Sequence, residues 1–395
     1  MIDHTAVGHI AVEPVAPARR RPDTARRPIL DIRDLVVDYG YGPDRVHALR
    51  GVSLTLHEGE VLGLAGESGC GKSTLVYAAT RLLPPPGLVS GGEAYYYPPG
   101  DDDPVDLLLM TDRELRASRW QDTAIVFQGA MNCLNPVYRI GRQITDTIAA
   151  HRPQLSRRQR DDRARELLDM VGIAGDRIRS FPHQLSGGMR QRVMIAMALA
   201  LEPRVLIMDE PTTALDVVMQ RQIIEEIIDL RDRLGFSVIF ITHDVSLLVE
   251  VADRIAIMYA GEIVEQATSK QVYREPRHPY SYGLLHSFPA LRGPKRTLIG
   301  IPGSPPDLQS LPSGCSFRTR CGFAMPECAA IHPELGPTAR HEPDRRVACL
   351  LHTAGHELPD ALSTQAPTPG PYDPAENSKE TSSGPSLPLI AQRPH

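Results

Sequence analysis

Three kinds of apolar pattern follow one another along this chain. In "ILDIRDLVVDYG" (29–40) and "HALRGVSLTLHEGEVLGLAG" (47–66), apolar and polar residues alternate over short, β-branched spans, which predicts strands of a half-exposed antiparallel sheet. From about 141 to 201 the period lengthens. In "RQRDDRARELLDMVGI", Ala164, Leu167, Leu168 and Val171 share one helical face while the charges occupy the other, which predicts an amphipathic helical block. "RVLIMDEP" (204–211) and "FSVIFITHD" (236–244) are continuous apolar runs of strand length, the pattern of parallel strands buried on both faces. With the helical "VVMQRQIIEEIIDLRDRLG" between them they predict a strand–helix–strand unit, hence an α/β fold. "PPGDDDPVD" (98–106) reads as a solvated acidic loop, and no internal repeat is present.

Length and composition narrow this picture. A chain of 395 residues allows two or three folding units. Residues 1–27 and 354–395 are rich in Pro, Ala, Ser and Thr and predict disordered tails. Hydrophobic content of 42% with 23% charged residues is ordinary for a globular protein. The net charge of -5 and the pI near 6.3 give no electrostatic reason to expect a nucleic-acid partner. The longest apolar run, "VMIAMALAL" (193–201), is half of what a spanning helix needs, so any membrane role is peripheral. The first 28 residues lack the apolar stretch of a secretory signal, which makes the cytosol the expected address. Of six cysteines, four cluster near the C-terminal end, and in a reducing compartment such a cluster points to metal more often than to disulfides.

Three motifs carry chemistry. "GESGCGKST" follows the apolar "EVLGLAG" and precedes a helical stretch, the context of a phosphate loop. Backbone N–H groups of Gly66, Ser68, Gly69, Cys70, Gly71 and Thr74 would cradle a polyphosphate at the helix N-terminus. Lys72 would place its charge on the β and γ phosphates, and Ser73 would offer its hydroxyl to Mg²⁺. Cys70 reads as a small filler at a variable position. "VLIMDE" ends an apolar strand with two carboxylates: Asp209 suits Mg²⁺, and Glu210 suits the polarisation of an attacking water. In "LSGGMRQR", Ser186, Gly187 and Gly188 open a helix and make a second anion-binding N-terminus. One nucleotide needs one phosphate loop, so this second start is expected to serve a nucleotide held by another subunit.

At these residues the chain resembles the ATP-binding cassette ATPases, with the motifs in family order over about 28–265 and the signature at Leu185 to Gln191. The resemblance implies a P-loop nucleotide-binding fold: a RecA-like parallel core, an antiparallel β subdomain and a helical subdomain at about 129–201. It implies that Gln128 in "VFQGAMNCLNP" ligates Mg²⁺ and senses the γ-phosphate. It likewise makes Asp216 in "TTALD" the aspartate that communicates across a dimer, and His243 in "ITHD" the switch histidine. Tyr39 is the expected adenine-stacking aromatic, with Tyr41 as competitor. Two cassettes would pair head to tail, each ATP held between one chain's phosphate loop and Ser186, Gly187, Gly188, Gln191 and Asp216 of the other. Separate transmembrane permease subunits would dock in the groove beside the Gln128 loop.

The segments "REPRHPYSYGLLHSFPAL" and "LIGIPGSPPDLQSLPSGCSFRTRCGFAMPEC" resemble the C-terminal extension, residues 266–353 here, of ATPases that energise oligopeptide and dipeptide importers. That branch implies an extracytoplasmic peptide-binding protein, a second and different ATPase chain as partner, and a place on the cytoplasmic side of the inner membrane. Gly129 and Ala130 depart from the Asp-Pro usual after the Gln of that subfamily. Cys315, Cys321, Cys328 and Cys349 form a C-x5-C-x6-C-x20-C arrangement that could hold Zn²⁺ or an iron-sulfur cluster, or remain thiols. The resemblance favours a [4Fe-4S] cluster. Rival functions are an importer ATPase for nickel or another small solute, for which no cysteine-bearing extension is expected, and a nucleic-acid-associated ATPase, for which tandem cassettes or a coiled coil are expected.

Overall fold

A computed structural model describes residues 26–100, 103–212, 215–287, 300–338 and 344–353, together with 342, 356, 358, 359 and 362. The tail expected over 1–27 lies outside the described residues except for Arg26 and Arg27, as does most of 354–395. Leu362 is the exception in the second tail: it is 1% exposed, and its carbonyl accepts a hydrogen bond from Arg277 Nη1 at 2.9 Å.

Strands β1 (Pro28–Tyr39) and β2 (Val46–His57) pair antiparallel, as the alternation predicts. β3 (Val61–Ala65) departs from that reading. All five of its residues are buried, and it belongs to the parallel sheet, because the turn at Glu58–Gly59 ends the alternating pattern and a continuous apolar run replaces it. Helix α1 (Lys72–Ala79) follows, then β4 (Gly87–Tyr96) and the two-residue β5 (Val105–Asp106). β5 pairs with Tyr95 and Tyr96, so the end of the predicted acidic loop is a sheet edge. Together these strands form a four-stranded sheet of order β2-β1-β4-β5.

α2 (Asp112–Ser118) and β6 (Thr123–Val126), which enters the core, precede the helical block, which holds α3 (Ile140–His151), α4 (Arg157–Met170) and α5 (Gly187–Ala198). α4 starts with a capping box: Ser156 Oγ accepts from the Gln159 N–H while Gln159 Oε1 accepts from the Ser156 N–H. Its buried side chains are Ala164, Leu167 and Leu168, the face read from the sequence.

β7 (Val205–Asp209), α6 (Val217–Leu234) and β8 (Ser237–Ile241) make the predicted strand–helix–strand unit. α7 (Val245–Val251), β9 (Arg254–Tyr259) and β10 (Glu262–Thr268) follow. The larger sheet is parallel from β6 through β7, β8 and β3 to β9, and antiparallel from β9 to β10. Alternate residues of one strand serve two cores: Leu206 and Met208 pack with the helical block, while Val205 and Ile207 pack toward α1 and the antiparallel sheet.

The C-terminal part adds α8 (Ser269–Arg274), α9 (Pro279–His286), β11 (Gly336–Pro337) and β12 (Arg346–Val347). β10 crosses the boundary expected at 265/266, and its Glu265 and Gln266 pair with Val347 and Arg346. The extension therefore continues the larger sheet.

Candidate functional site

The loop between β3 and α1 closes on itself through Lys72. Its Nζ donates to Gly66 O at 2.7 Å and Glu67 O at 2.9 Å and lies 3.8 Å from Cys70 Sγ. Gly66 has φ +148°, and a Cβ there would sit 2.3 Å from Met258 O, so the strand exit admits no side chain. Gly71, at φ +104°, caps α1 without a side-chain acceptor, which leaves the first-turn N–H groups to a ligand. Ser68 and Gly69 are exposed, while Cys70 is buried with its thiol pushed up by burial, in keeping with a filler. Thr74 is half-buried in the first turn of α1.

Asp209, 1% exposed at the end of β7, meets α1 through two hydroxyls. Ser73 Oγ donates to its Oδ1 at 2.9 Å, and Tyr77 Oη donates to its Oδ2 at 2.6 Å. Burial, reinforced by the bond to Asp209, pushes the Tyr77 hydroxyl far up, so it is a fixed donor. Tyr77 was not singled out by sequence; only its helical position after Ser73 could have suggested it. Beside Asp209, Glu210 adopts φ +44°, an unusual conformation for a glutamate at a strand end. Its carboxylate is bracketed: Gln128 Nε2 donates to Oε2 at 3.1 Å, and His243 Nδ1 lies 3.6 Å from Oε1. The loops after β6, β7 and β8 thus bring Gln128, Glu210 and His243 to the carboxyl ends of the parallel strands, where open α/β sheets bind ligands.

The oxygens of Ser73, Asp209 and Gln128 are the small, hard donors that Mg²⁺ takes, few enough that nucleotide phosphates would complete the shell. They fit that ion.

The remaining predicted residues stand apart. Ser186 and Gly187 are exposed at the start of α5, where Ser186 Oγ accepts from Met189 N–H at 3.3 Å; Gly188 is buried against α6. Gln191 is 1% exposed with an unpartnered Nε2, so in this conformation it presents no side chain to a second molecule. Asp216 is an exposed N-cap: its Oδ1 accepts from Val218 N at 3.1 Å and Met219 N at 3.0 Å. Val217 and Val218 beside it are 64% and 70% exposed. Tyr39 ends β1 half-buried against the core, whereas Tyr41 is 78% exposed.

The iron-sulfur expectation is overturned, and the Zn²⁺ alternative gains no support. Cys315, Cys321, Cys328 and Cys349 border one small cavity with Phe317, Phe323 and Leu351, but all are free thiols. Among the described residues no group of three or more His, Cys, Asp or Glu side chains is placed to hold a metal ion. Burial pushes the thiol of Cys315 up, that of Cys321 to about 11 and that of Cys349 to about 12, so these three are neutral S–H groups in the cavity as it stands.

Comparison with known proteins agrees with this geometry. Residues 49–213 match the family model described as ABC transporter, and residues 264–328 that of the oligopeptide/dipeptide transporter C-terminal region. The chain is 44% identical over 300 residues to the oligopeptide transport ATP-binding protein OppD of Bacillus subtilis, covering 75% of this chain and 82% of that protein. It is 41% identical over 325 residues to the dipeptide transport ATP-binding protein DppD of the same organism, covering 82% and 94%. Against the Mycobacterium tuberculosis OppD it is 43% identical, but spans only 52% of that longer relative. Among solved structures, the dimeric post-hydrolysis state of the ATP-binding cassette MJ0796 bound to ADP and Pi superposes with a TM-score of 0.54 at 30% identity, covering 61% of this chain and 99% of that one.

Proposed function

This chain belongs to the ATP-binding cassette family, and from that premise we propose that it is the ATP-binding subunit of an oligopeptide or dipeptide importer. As a family member it is an ATP hydrolase. The observation that supports the residue roles best is the bracketed Glu210, set next to an Asp209 that Ser73 and Tyr77 hold in place.

Lys72 exchanges the carbonyls of Gly66 and Glu67 for the β and γ phosphates of ATP, while the loop N–H groups and the α1 N-terminus receive the remaining charge. Ser73, Asp209 and Gln128 would hold Mg²⁺, which would supply positive charge to offset that of the nucleotide phosphates. Glu210 accepts the proton of the attacking water, oriented by Gln128 on one side and His243 on the other. Tyr39 stacks on adenine. Ser186 and Gly187 at the exposed start of α5, with Asp216, face the nucleotide of a partner cassette, and the exposed Val217 and Val218 supply apolar surface for that contact; Gly188 sits behind them, and Gln191 would have to turn out of its buried position to join them.

Among the described residues no helix is long and apolar enough to cross a membrane, so separate permease subunits would carry the peptide, with the chain peripheral on the cytoplasmic face and a peptide-binding protein on the other side. A cleft of about 700 Å³ next to α3 supports their docking: Val137 and Tyr138 are 71% and 41% exposed on its wall. The test is purification from its own cells of the complex that holds the chain. Co-purifying permeases and ATP turnover stimulated by a peptide-loaded binding protein are expected; a complex stimulated by another solute and not by peptide would reject the cargo.

A further inference from the structure

The C-terminal extension returns to the phosphate loop and grips one of its residues. Glu67 N–H donates to the Tyr280 hydroxyl at 2.8 Å. Its carboxylate accepts from Arg320 twice: Nη1 to Oε2 at 2.6 Å and Nη2 to Oε1 at 2.9 Å. This is a two-pronged, charge-assisted pair, the strongest kind of side-chain contact. Tyr280 is 0% exposed and Arg320 6% exposed, so neither contact is a solvated surface bridge.

Arg320 is itself anchored. Its Nε donates to Pro302 O at 2.8 Å, and its guanidinium lies 5.8 Å and 6.0 Å from the ring centres of Tyr259 and Phe317. Phe317 packs edge-on against Tyr259 and Tyr280, at 5.2 Å and 5.4 Å. The grip on Glu67 is therefore backed by strand β9, helix α9 and the 300–320 segment together.

The third polar group of Glu67, its carbonyl, accepts from Lys72 Nζ at 2.9 Å and from the Cys70 N–H at 3.4 Å. As Lys72 turns toward a phosphate, its hold on that carbonyl weakens. The N–H and carboxylate of Glu67 are still fixed by the extension. A loop free to adopt other forms would bind with an affinity reduced by the fraction of competent conformers.

We infer that Arg320 is a positioning residue for the nucleotide site, and that it couples residues 300–338 to occupancy of the phosphate loop. This rests on the reading of Gly66 to Thr74 as the ATP-binding loop. Coupling of this kind is reciprocal: if the extension raises affinity for ATP, ATP steadies the extension by the same factor.

The test uses the full chain with Arg320→Ala, Arg320→Lys, Glu67→Gln and Tyr280→Phe. ATP affinity is measured with a fluorescent ATP analogue, turnover by phosphate release, and hydrogen exchange over 300–338 with and without a non-hydrolysable analogue. Arg320→Ala and Glu67→Gln should each weaken affinity roughly tenfold, with Arg320→Lys between them and the wild type. The effect should fall on KM more than on kcat, because Arg320 does not touch Glu210. The double variant should be no worse than either single change. Nucleotide should protect 300–338 in the wild type and lose that effect in Arg320→Ala.

Wild-type affinity and protection in a folded Arg320→Ala chain would overturn the inference, as would fully additive losses. Should Arg320→Ala not fold, Glu67→Gln and Tyr280→Phe decide alone: weakened affinity supports the coupling and unchanged affinity ends it. A wild-type chain whose ATP binding does not depend on Lys72 would remove the functional reading itself, whereas normal wild-type binding with indifferent variants removes only this inference.

Discussion

Glu210 is shared by two loops: Gln128 Nε2 donates to one carboxylate oxygen at 3.1 Å, and His243 Nδ1 stands 3.6 Å from the other. The two neighbours come from different strand ends, so the carboxylate reports on both. Glu210→Gln keeps the size of the side chain and the contact region but cannot take a proton. Its kcat should fall by about 10²–10⁴-fold with ATP affinity retained, and ATP should trap a closed pair of cassettes. Phosphate release and sedimentation of the ATP-loaded variant check both parts, and undiminished turnover in the assembled complex would remove Glu210 from the reaction.

Asp209 presents a second test, because its two oxygens are committed to different hydroxyls. Tyr77→Phe removes a buried donor and leaves Oδ2 unpaired, which should cost about 1–2 kcal/mol of stability. The Mg²⁺ concentration at half-maximal hydrolysis should move only slightly, since Oδ1 and Ser73 remain. Asp209→Asn should raise that concentration by about tenfold or more, by removing a charged ligand. A Mg²⁺ titration of the two variants side by side separates support of the ligand from the ligand itself.

Gly66 tests the backbone rather than a side chain. Its φ of +148° and the Met258 carbonyl 2.3 Å from where a Cβ would stand leave no room for alanine. Gly66→Ala should lower stability by about 2 kcal/mol or more and abolish ATP binding. Gly300→Ala, where no atom of the described residues lies within 4 Å of the added methyl, should change neither. Thermal unfolding of both variants, read together with nucleotide binding, would expose an error if they behaved alike.

What the sequence made legible is what short-range chemistry dictates. The glycine spacing of 66–74, the carboxylates ending "VLIMDE" and the uninterrupted apolar runs of β7 and β8 each need only a few neighbouring residues to be meaningful. Gln128 and His243 gained their meaning from family resemblance, and the structure places both against Glu210. The misreadings have different physical origins. In sequence, β3 reads with the half-exposed strands because its pattern joins theirs across one short turn, although both of its faces are covered. The cysteine spacing states how many thiols are near one another but not that their cavity is apolar and that no three of the described side chains are placed to hold a metal ion. Contacts such as Arg320 with Glu67, separated by 253 residues, leave no periodic trace in either segment.

The extension also carries an acid-sensitive group. His278 caps α9, its Nδ1 accepting the Tyr280 N–H at 3.0 Å, and burial holds its pKa down at about 3. His352, which contacts the Arg277 carbonyl, is depressed in the same direction by burial. In the unfolded chain such a histidine titrates near 6.5. Above that value neither state is protonated and the stabilisation is complete; as pH falls toward 3, only the unfolded chain takes up the proton, and stability declines. The slope is about 1.4 kcal/mol per pH unit, so the loss from His278 approaches about 2 kcal/mol at pH 5. Carboxylates with depressed values, such as Glu342, act at lower pH and do not set this window. His278→Asn retains an acceptor for the cap but cannot titrate. Denaturant midpoints measured from pH 7.5 to pH 5 should fall more gently for that variant than for the wild type, with His352 accounting for the residual slope; parallel curves would show that His278 is not the sensor.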